Sequence, residues 1–125
     1  MIYVEIPLVI HADVGKKVML NCISPLYSPT VIWRYQSSNA SNYTDLVKIN
    51  EDGIYLLDKS GRFSVNKTGS SNFRLVIHET QLDDSGNYTC YIYTSYKMQN
   101  VTVLNVTDPG AGGIVLLLNS LFTSS

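Results

Sequence analysis

The two cysteines of the chain, Cys22 and Cys90, constrain its fold more than any other feature of the sequence. They lie 68 positions apart, too far for a local pair of metal ligands, and no cluster of histidines accompanies them. This spacing favours a single long-range disulfide, whose loop would stabilise the fold by about 4 kcal/mol through chain entropy. Such a bond indicates an oxidising compartment, whereas the alternative is a pair of buried free thiols in a cytosolic protein.

The composition predicts one all-β domain. A chain of 125 residues fits a single domain with one hydrophobic core. Nine tyrosines, with many Val, Ile, Ser and Thr and few Ala, suit pleated strands better than helices. The formal charge of −1, from 9 Lys and Arg against 10 Asp and Glu, provides no basic surface for a phosphate backbone. We therefore expect no nucleic acid partner.

Short segments of alternating apolar and polar residues predict about nine strands and no helix longer than one turn. The clearest two are KVMLNCI and VIWRYQ, in which Val18, Leu20 and Cys22, and then Val31, Trp33 and Tyr35, share one face. Pro7 interrupts the first expected strand. The remaining strands are expected at residues 3–10, 46–49, 53–58, 62–66, 73–78, 87–94 and 101–107, with a polar connection at 37–45 and a tip at 95–99.

The two ends of the chain differ from its middle. We expect a domain at residues 1–108 and a flexible linker, stalk, truncated anchor or tag at 109–125. The apolar segment Ile114–Leu118 is far shorter than the roughly 20 residues of a membrane span. The start, MIYVEIPLVI, has no basic region, and Glu5 and Pro7 interrupt its apolar run. It therefore does not read as a signal peptide, and we interpret Met1 as an expression start on a mature domain.

A motif before the second cysteine carries a family resemblance. Asp84, Gly86, Tyr88 and Cys90 form the pattern D-x-G-x-Y-x-C. With Cys22, Trp33, Arg62 and the strand FRLVI, it resembles an immunoglobulin variable-type (V-set) domain over about residues 2–107. The resemblance implies an all-β, two-sheet immunoglobulin V-type sandwich of about nine strands with one inter-sheet disulfide, Cys22–Cys90.

The resemblance also implies structural roles for the motif. Trp33 is expected to pack against the disulfide between the two sheets. The hydroxyl of Tyr88 is expected to bond to a backbone group at the corner before its strand, and Gly86 to leave room for the turn. Asp84 is expected to pair with Arg62, while Asp83 stays in solvent. Neither acid is then a catalytic group.

Catalysis is not expected from this sequence. The two histidines, His11 and His78, lie near the ends of different predicted strands and in no recognisable motif. No Gly-rich loop precedes a helix, and no metal-ligand spacing is present. We therefore expect no enzyme activity, no cofactor, no metal and no small-molecule substrate.

The predicted partner-binding surface is the sheet of strands G, F, C and C′. If Trp33 and Cys90 face the core, alternation turns other side chains of these strands outward, and their types are common at interface hot spots. The predicted contact residues are Ile32, Arg34, Gln36, Tyr91, Tyr93 and, in the adjoining loop, Tyr96. Ordinary solvated sheet is the alternative. Val101 and Val103 extend the surface if Thr102, Leu104 and Val106 pack inward, and the other register makes it smaller.

Six N-x-[ST] sequons predict a secreted glycoprotein, at Asn39, Asn42, Asn66, Asn87, Asn100 and Asn105. By the resemblance, Asn39, Asn42 and Asn87 lie at the end where the chain exits, and Asn105 joins them if it points outward. Glycans there would leave the opposite end free, except near Asn100. Asn100 and Asn105 have opposite parity on one strand. Without a bulge they are not expected to face outward in the same way.

These features predict an extracellular recognition domain of a cell-surface immune receptor, bound to another cell-surface protein or to itself. The chain has NVTVLNV where antigen-receptor variable domains carry an F/W-G-x-G bulge, so a rearranged receptor chain is not expected. It also lacks the second cysteine pair that marks several other immune-receptor families. Homophilic adhesion of the junctional adhesion or myelin protein zero type, and a secreted or viral decoy, are the alternatives. We expect localisation at the outer face of the plasma membrane or secretion, with membrane contact only through a segment outside this chain.

Overall fold

Strands account for nearly all of the regular structure. The computed structural model describes residues 8–25, 29–38, 40–69, 71–95 and 97–109, which contain nine strands and the 3₁₀ turn Leu82–Asp84. The strands are β1 (Leu8–Asp13), β2 (Val18–Leu20), β3 (Thr30–Gln36), β4 (Tyr43–Asn50), β5 (Gly53–Leu56), β6 (Phe63–Thr68), β7 (Asn72–Ile77), β8 (Gly86–Tyr93) and β9 (Lys97–Thr107). The predicted all-β fold is confirmed.

The strands form two sheets that enclose the core. The front sheet has the order β1-β9-β8-β3-β4-β5, and the back sheet has the order β2-β7-β6. β1 runs parallel to β9, and the other pairs are antiparallel. In the front sheet, β3, β4, β8 and β9 take the places of the expected strands C, C′, F and G.

Several of the expected strand boundaries are wrong, and three of the differences change which residues pair in the front sheet. The first strand does not end at Ile10 but continues to Asp13, because its ladder with β9 extends that far; residues 1–7 lie outside the described residues. The expected polar connection at 37–45 already contains the start of β4, since Tyr43 pairs with Gln36. The expected tip at 95–99 is shorter, because β9 begins at Lys97, which pairs with Tyr93.

The disulfide and Trp33 join the two sheets at one place. Cys22, which follows β2, is bonded to Cys90 on β8, and both are buried. The side chain of Trp33 is fully buried, and its Nε1–H donates to the carbonyl oxygen of Phe73 on β7 at 2.9 Å. The N–H of Phe73 donates in turn to the carbonyl oxygen of Cys22. The backbone of Phe73 therefore contacts both Trp33 and Cys22, the two residues that join the sheets here.

Tyr88 closes the end of the domain that carries the 3₁₀ turn, here called the lower end. Its buried hydroxyl donates to the carbonyl oxygen of Asp84 at 2.6 Å, and burial raises the pKa of this hydroxyl. The ring of Tyr35 lies 5.0 Å from that of Tyr88, and its own hydroxyl donates to the carbonyl oxygen of Ser85 at 2.7 Å. Two tyrosines thus hold the turn onto the front sheet.

An ion pair lies beside this turn. The guanidinium of Arg62 donates to both carboxylate oxygens of Asp84, at 2.6 and 2.9 Å, and the hydrogen bond with Asp84 raises the pKa of Arg62. Asp84 also accepts a bond from the N–H of Gln81 at 2.8 Å. Asp83 is exposed. The two neighbouring acids therefore have different surroundings.

Gly86 fits against β3 because it has no side chain. Its φ is +148°, and a Cβ there would lie 2.7 Å from the carbonyl oxygen of Gln36 and 2.9 Å from Cε1 of Tyr35. Both distances are shorter than real Cβ contacts. A methyl group at this position has to displace the tyrosine or the strand.

Replacing Gly86 by Ala should lower the free energy of unfolding by about 1–3 kcal/mol more than replacing Gly53 by Ala. Gly53 is the matched control, since it has the same φ of +148° but no atom within 4 Å of an added Cβ. Urea unfolding of the two variants measures the difference. Equal losses of unfolding free energy in the two variants would contradict the explanation that an added Cβ at residue 86 clashes with β3.

The stability of the domain should fall above about pH 10, the ordinary pKa of tyrosine, because the fold holds Tyr88 in its neutral form. Because the pKa of Tyr88 is raised in the folded state, the unfolded chain loses this proton first as the pH rises. The contribution of Tyr88 to stability is therefore complete below about pH 10 and is lost as the pH rises above that value. Tyr88→Phe should make the alkaline loss shallower while costing about 1 kcal/mol at neutral pH. Denaturant unfolding across pH tests this, with the exposed Tyr55→Phe as the control that keeps the wild-type slope.

Candidate functional site

The candidate site is the outer surface of four strands of the front sheet. We call the outward side chains of β3, β4, β8 and β9 the front face. Along β8, Tyr88, Cys90 and Ile92 are buried, so Tyr91 and Tyr93 project from the opposite side and are partly exposed. The same alternation turns Ile32, Arg34 and Gln36 of β3 outward.

The pairing register arranges the front face in rows across the sheet. From the lower end to the upper end, the rows are Gln36–Asn87–Val103, Arg34–Thr89–Val101, Ile32–Tyr91–Gln99 and Thr30–Tyr93–Lys97. Thr102, Leu104 and Val106 are buried, so Val101 and Val103 belong to the front face. The structure therefore has the register that gives the larger surface.

A ladder of cations and tyrosine rings crosses the front face. The guanidinium of Arg34 lies 3.8 Å from the ring centroid of Tyr43 and 4.9 Å from that of Tyr91. The ammonium of Lys97 lies 4.6 Å from the Tyr91 centroid and 5.8 Å from the Tyr93 centroid. The two β8 rings stack on each other at 6.2 Å. Contacts of this kind hold large side chains in defined positions before any partner arrives.

Arg34 already has an acidic neighbour. Its Nε–H donates to Oδ1 of Asp45 at 2.7 Å, and this bond raises the pKa of Arg34 against the smaller, opposite effect of burial. A β-bulge opposite Trp33 and Arg34 makes the pair possible, because it turns both Leu46 and Val47 inward and returns Asp45 to the outer side. Regular alternation through β4 would have turned this carboxylate inward.

Five of the six predicted contact residues lie together on the front face: Ile32, Arg34, Gln36, Tyr91 and Tyr93. The side-chain amide of Gln36 donates to the carbonyl oxygen of Ala40 at 3.0 Å. Tyr96 lies outside the described residues. Sequence reasoning missed Lys97, Tyr43 and Lys48. Continuing the alternation of Val101 and Gln99 back to residue 97 would have found Lys97, but the tip was expected there.

The sequons lie on several sides of the domain. Four of the sequon asparagines are exposed: Asn42, Asn66, Asn100 and Asn105. Asn100 and Asn105 have opposite parity along β9, but neither of them is buried. Asn87 is half-buried in the lowest row of the front face, between Gln36 and Val103. Asn39 lies outside the described residues. A glycan on Asn87 would therefore cover Gln36 and leave the upper rows open.

The two histidines lie away from the front-face ladder. His78 directly follows β7; its Nε2 is 2.8 Å from the hydroxyl oxygen of Ser64, and its backbone N–H donates to the carbonyl oxygen of Arg62. His11 on β1 is exposed beside Asn105. Within the described ranges, no three His, Cys, Asp or Glu side chains group as metal ligands, and no helix has the length and apolar character to span a membrane.

Known proteins share both sequence and fold with this chain. A family model for the immunoglobulin V-set domain matches residues 5–107. The mouse protein named leucine-rich repeat, immunoglobulin-like domain and transmembrane domain-containing protein 2 is 31% identical over 98 residues. The matched part is 78% of this chain but only 15% of that protein, so the chain spans a small part of its relative.

Two solved structures illustrate the fold similarity. The extracellular domain of the voltage-gated sodium channel β4 subunit, described as parallel homodimers that explain a role in cell–cell adhesion, has a TM-score of 0.68 at 18% identity; the match covers 86% of this chain and 97% of that one. A chain from the complex of Dpr1 IG1 bound to DIP-eta IG1 also has a TM-score of 0.68, at 27% identity, with coverage of 83% and 92%.

The Arg62–Asp84 and Arg34–Asp45 ion pairs should differ in their effect on stability. Asp84→Asn should lower the free energy of unfolding by about 2 kcal/mol, less than for a fully buried pair because Arg62 is 24% exposed. Asp45→Asn should cost less than about 1 kcal/mol, since the Asp45 side chain is 34% exposed. Chemical unfolding compares the variants, and a larger loss for Asp45→Asn would contradict this ranking.

Proposed function

Because the chain belongs to the immunoglobulin V-set family, we propose that it is an extracellular recognition domain that binds a protein partner through its front face. V-set domains form a non-enzymatic fold of receptors and adhesion proteins, so the chain is not an enzyme. We further propose that it acts in immune recognition at the outer surface of the plasma membrane or in secreted form, with residues 109–125 as a linker or stalk.

The ladder of tyrosines and cations is the observation that carries this proposal. Tyr and Arg are enriched at the few interface positions that dominate binding energy, and Tyr91 and Tyr93 are held in place by Lys97 and by each other. Ile32 lies directly beside Tyr91 in the next strand and adds an apolar contact at the centre. Pre-positioned rings lose little conformational freedom on binding, which favours association.

The size of the front face is consistent with cell-surface recognition. A standard interface buries about 800 Å² per partner, and such an area on one small domain supports affinities from weak to tight. Many copies on a cell surface compensate for a weak single contact through avidity. Glycans on the sequons of the lower end would leave the upper rows available to the partner.

Homophilic adhesion is the second candidate function. The sodium channel β4 domain, which shares the fold, is described as a parallel homodimer with a role in cell–cell adhesion. In this chain the same function would require an isologous contact, in which the front faces of two copies meet about a two-fold axis.

Replacing Tyr93 by Ala should abolish partner binding, because it removes the upper ring of the stacked pair, while changing the free energy of unfolding by about 1 kcal/mol or less. Binding of the glycosylated domain to cells that each display one surface protein measures the first effect. Sedimentation equilibrium measures self-association, and a dimer lost on Tyr93→Ala would favour homophilic adhesion.

The matched control is Met19→Ala on the outer side of the back sheet, where Met19 is 41% exposed. This variant should bind like the wild type. Undiminished binding by Tyr93→Ala, or an equal loss in both variants, would contradict the assignment of the front face.

A further inference from the structure

The front face has a different charge from the chain as a whole. Its outward side chains include three cations, Arg34, Lys48 and Lys97, and one carboxylate, Asp45. The complete chain has a formal charge of −1. Positive charge is therefore concentrated on the surface that also carries the stacked tyrosines.

Arg34 contributes little of this charge to a partner. Asp45 neutralises it at 2.7 Å, and its guanidinium lies close to the rings of Tyr43 and Tyr91. Its side chain is 22% exposed. A new carboxylate would have to compete with a bond that the domain already makes.

Lys97 has the opposite properties. Lys97 is an exposed residue whose ammonium lies over the faces of Tyr91 and Tyr93, and it forms no ion pair with the residues that the structure describes. Ring contacts use the positive charge but leave the N–H donors free for an acceptor. When a partner covers the two rings and excludes water, a carboxylate beside this ammonium gains strength as a charge-assisted hydrogen bond.

We propose that the front face binds an acidic protein surface, in which a carboxylate bonds to Lys97 and neighbouring apolar side chains cover Tyr91, Tyr93 and Ile32. This inference rests on the proposed function and adds the chemistry of the partner. Lys48, exposed on the other side of Ile32, is a second contact for negative charge.

A second copy of the chain matches this surface less well. Two front faces would bring the same excess of cations together, and like charges across an interface oppose association. Two acids outside the face, Glu51 and Asp52, lie in the turn between β4 and β5 at the end of the sheet. Charge complementarity therefore favours a different, acidic protein.

A random peptide display library, selected against the glycosylated domain, tests the proposal. Peptides that bind the wild type should be enriched in Asp and Glu relative to the starting library, and they should bind Lys97→Glu at least about tenfold more weakly. Lys97→Arg, which keeps the charge, should retain them. The matched control is Lys67→Glu, which makes the same charge change on the back sheet and should bind the peptides like the wild type. The ammonium of Lys67 also lies near an aromatic ring, 5.4 Å from the centroid of Phe73.

The outcomes separate this inference from the proposed function. Selected peptides that lose binding to Tyr93→Ala but show no acidic enrichment would keep the face and overturn its acidic partner. Peptides that bind Tyr93→Ala and Lys97→Glu as well as the wild type would overturn both. A wild-type dimer in sedimentation equilibrium that Lys97→Glu dissociates and Lys67→Glu does not would assign the face to a second copy, and would also overturn the proposal.

Discussion

The contact of Trp33 and the Cys22–Cys90 disulfide with the back sheet is the constraint on which the rest of the structure depends. Both reach the backbone of Phe73, through the indole N–H and through the carbonyl oxygen of Cys22. β3 and β8, neighbours in the front sheet, are thereby held with one side toward the core. Since side chains alternate along a strand, this contact also decides which residues of β3 and β8 face outward.

The front face is a consequence of that arrangement, modified at one position. Strict alternation accounts for Ile32, Tyr91 and Tyr93, but not for the acid beside Arg34. The bulge in β4 places Asp45 there, and so removes most of the charge that Arg34 would otherwise present. Of the two cations that contact the Tyr91 ring, Lys97 is the one without an ion-pair partner among the described residues.

The two ends of the domain differ in how closely they are packed. At the lower end, Tyr88, Tyr35 and the Arg62–Asp84 pair secure the turn before β8, and Gly86 allows its close approach to β3. Asn87 and Asn105 also lie toward this end of the front face. The upper rows, which contain Tyr93 and Lys97, are free of both this closed packing and these two sequons. The proposed recognition surface is therefore separated along the same strands from the contacts that close the lower end.

The sequence by itself determined the fold class and part of the candidate site. Two cysteines, one tryptophan and the D-x-G-x-Y-x-C motif predict the sandwich, because few folds use these residues at these spacings. Alternation predicts the outward side of β3 and β8, since each strand is regular along its own length. Only the tertiary structure decided how β9 and β4 lie beside them. The inward packing of Thr102, the bulge that brings Asp45 to Arg34, and the extension of β9 to Lys97 each depend on register between strands distant in sequence. Register is a property of paired strands, so no single segment of the sequence contains it.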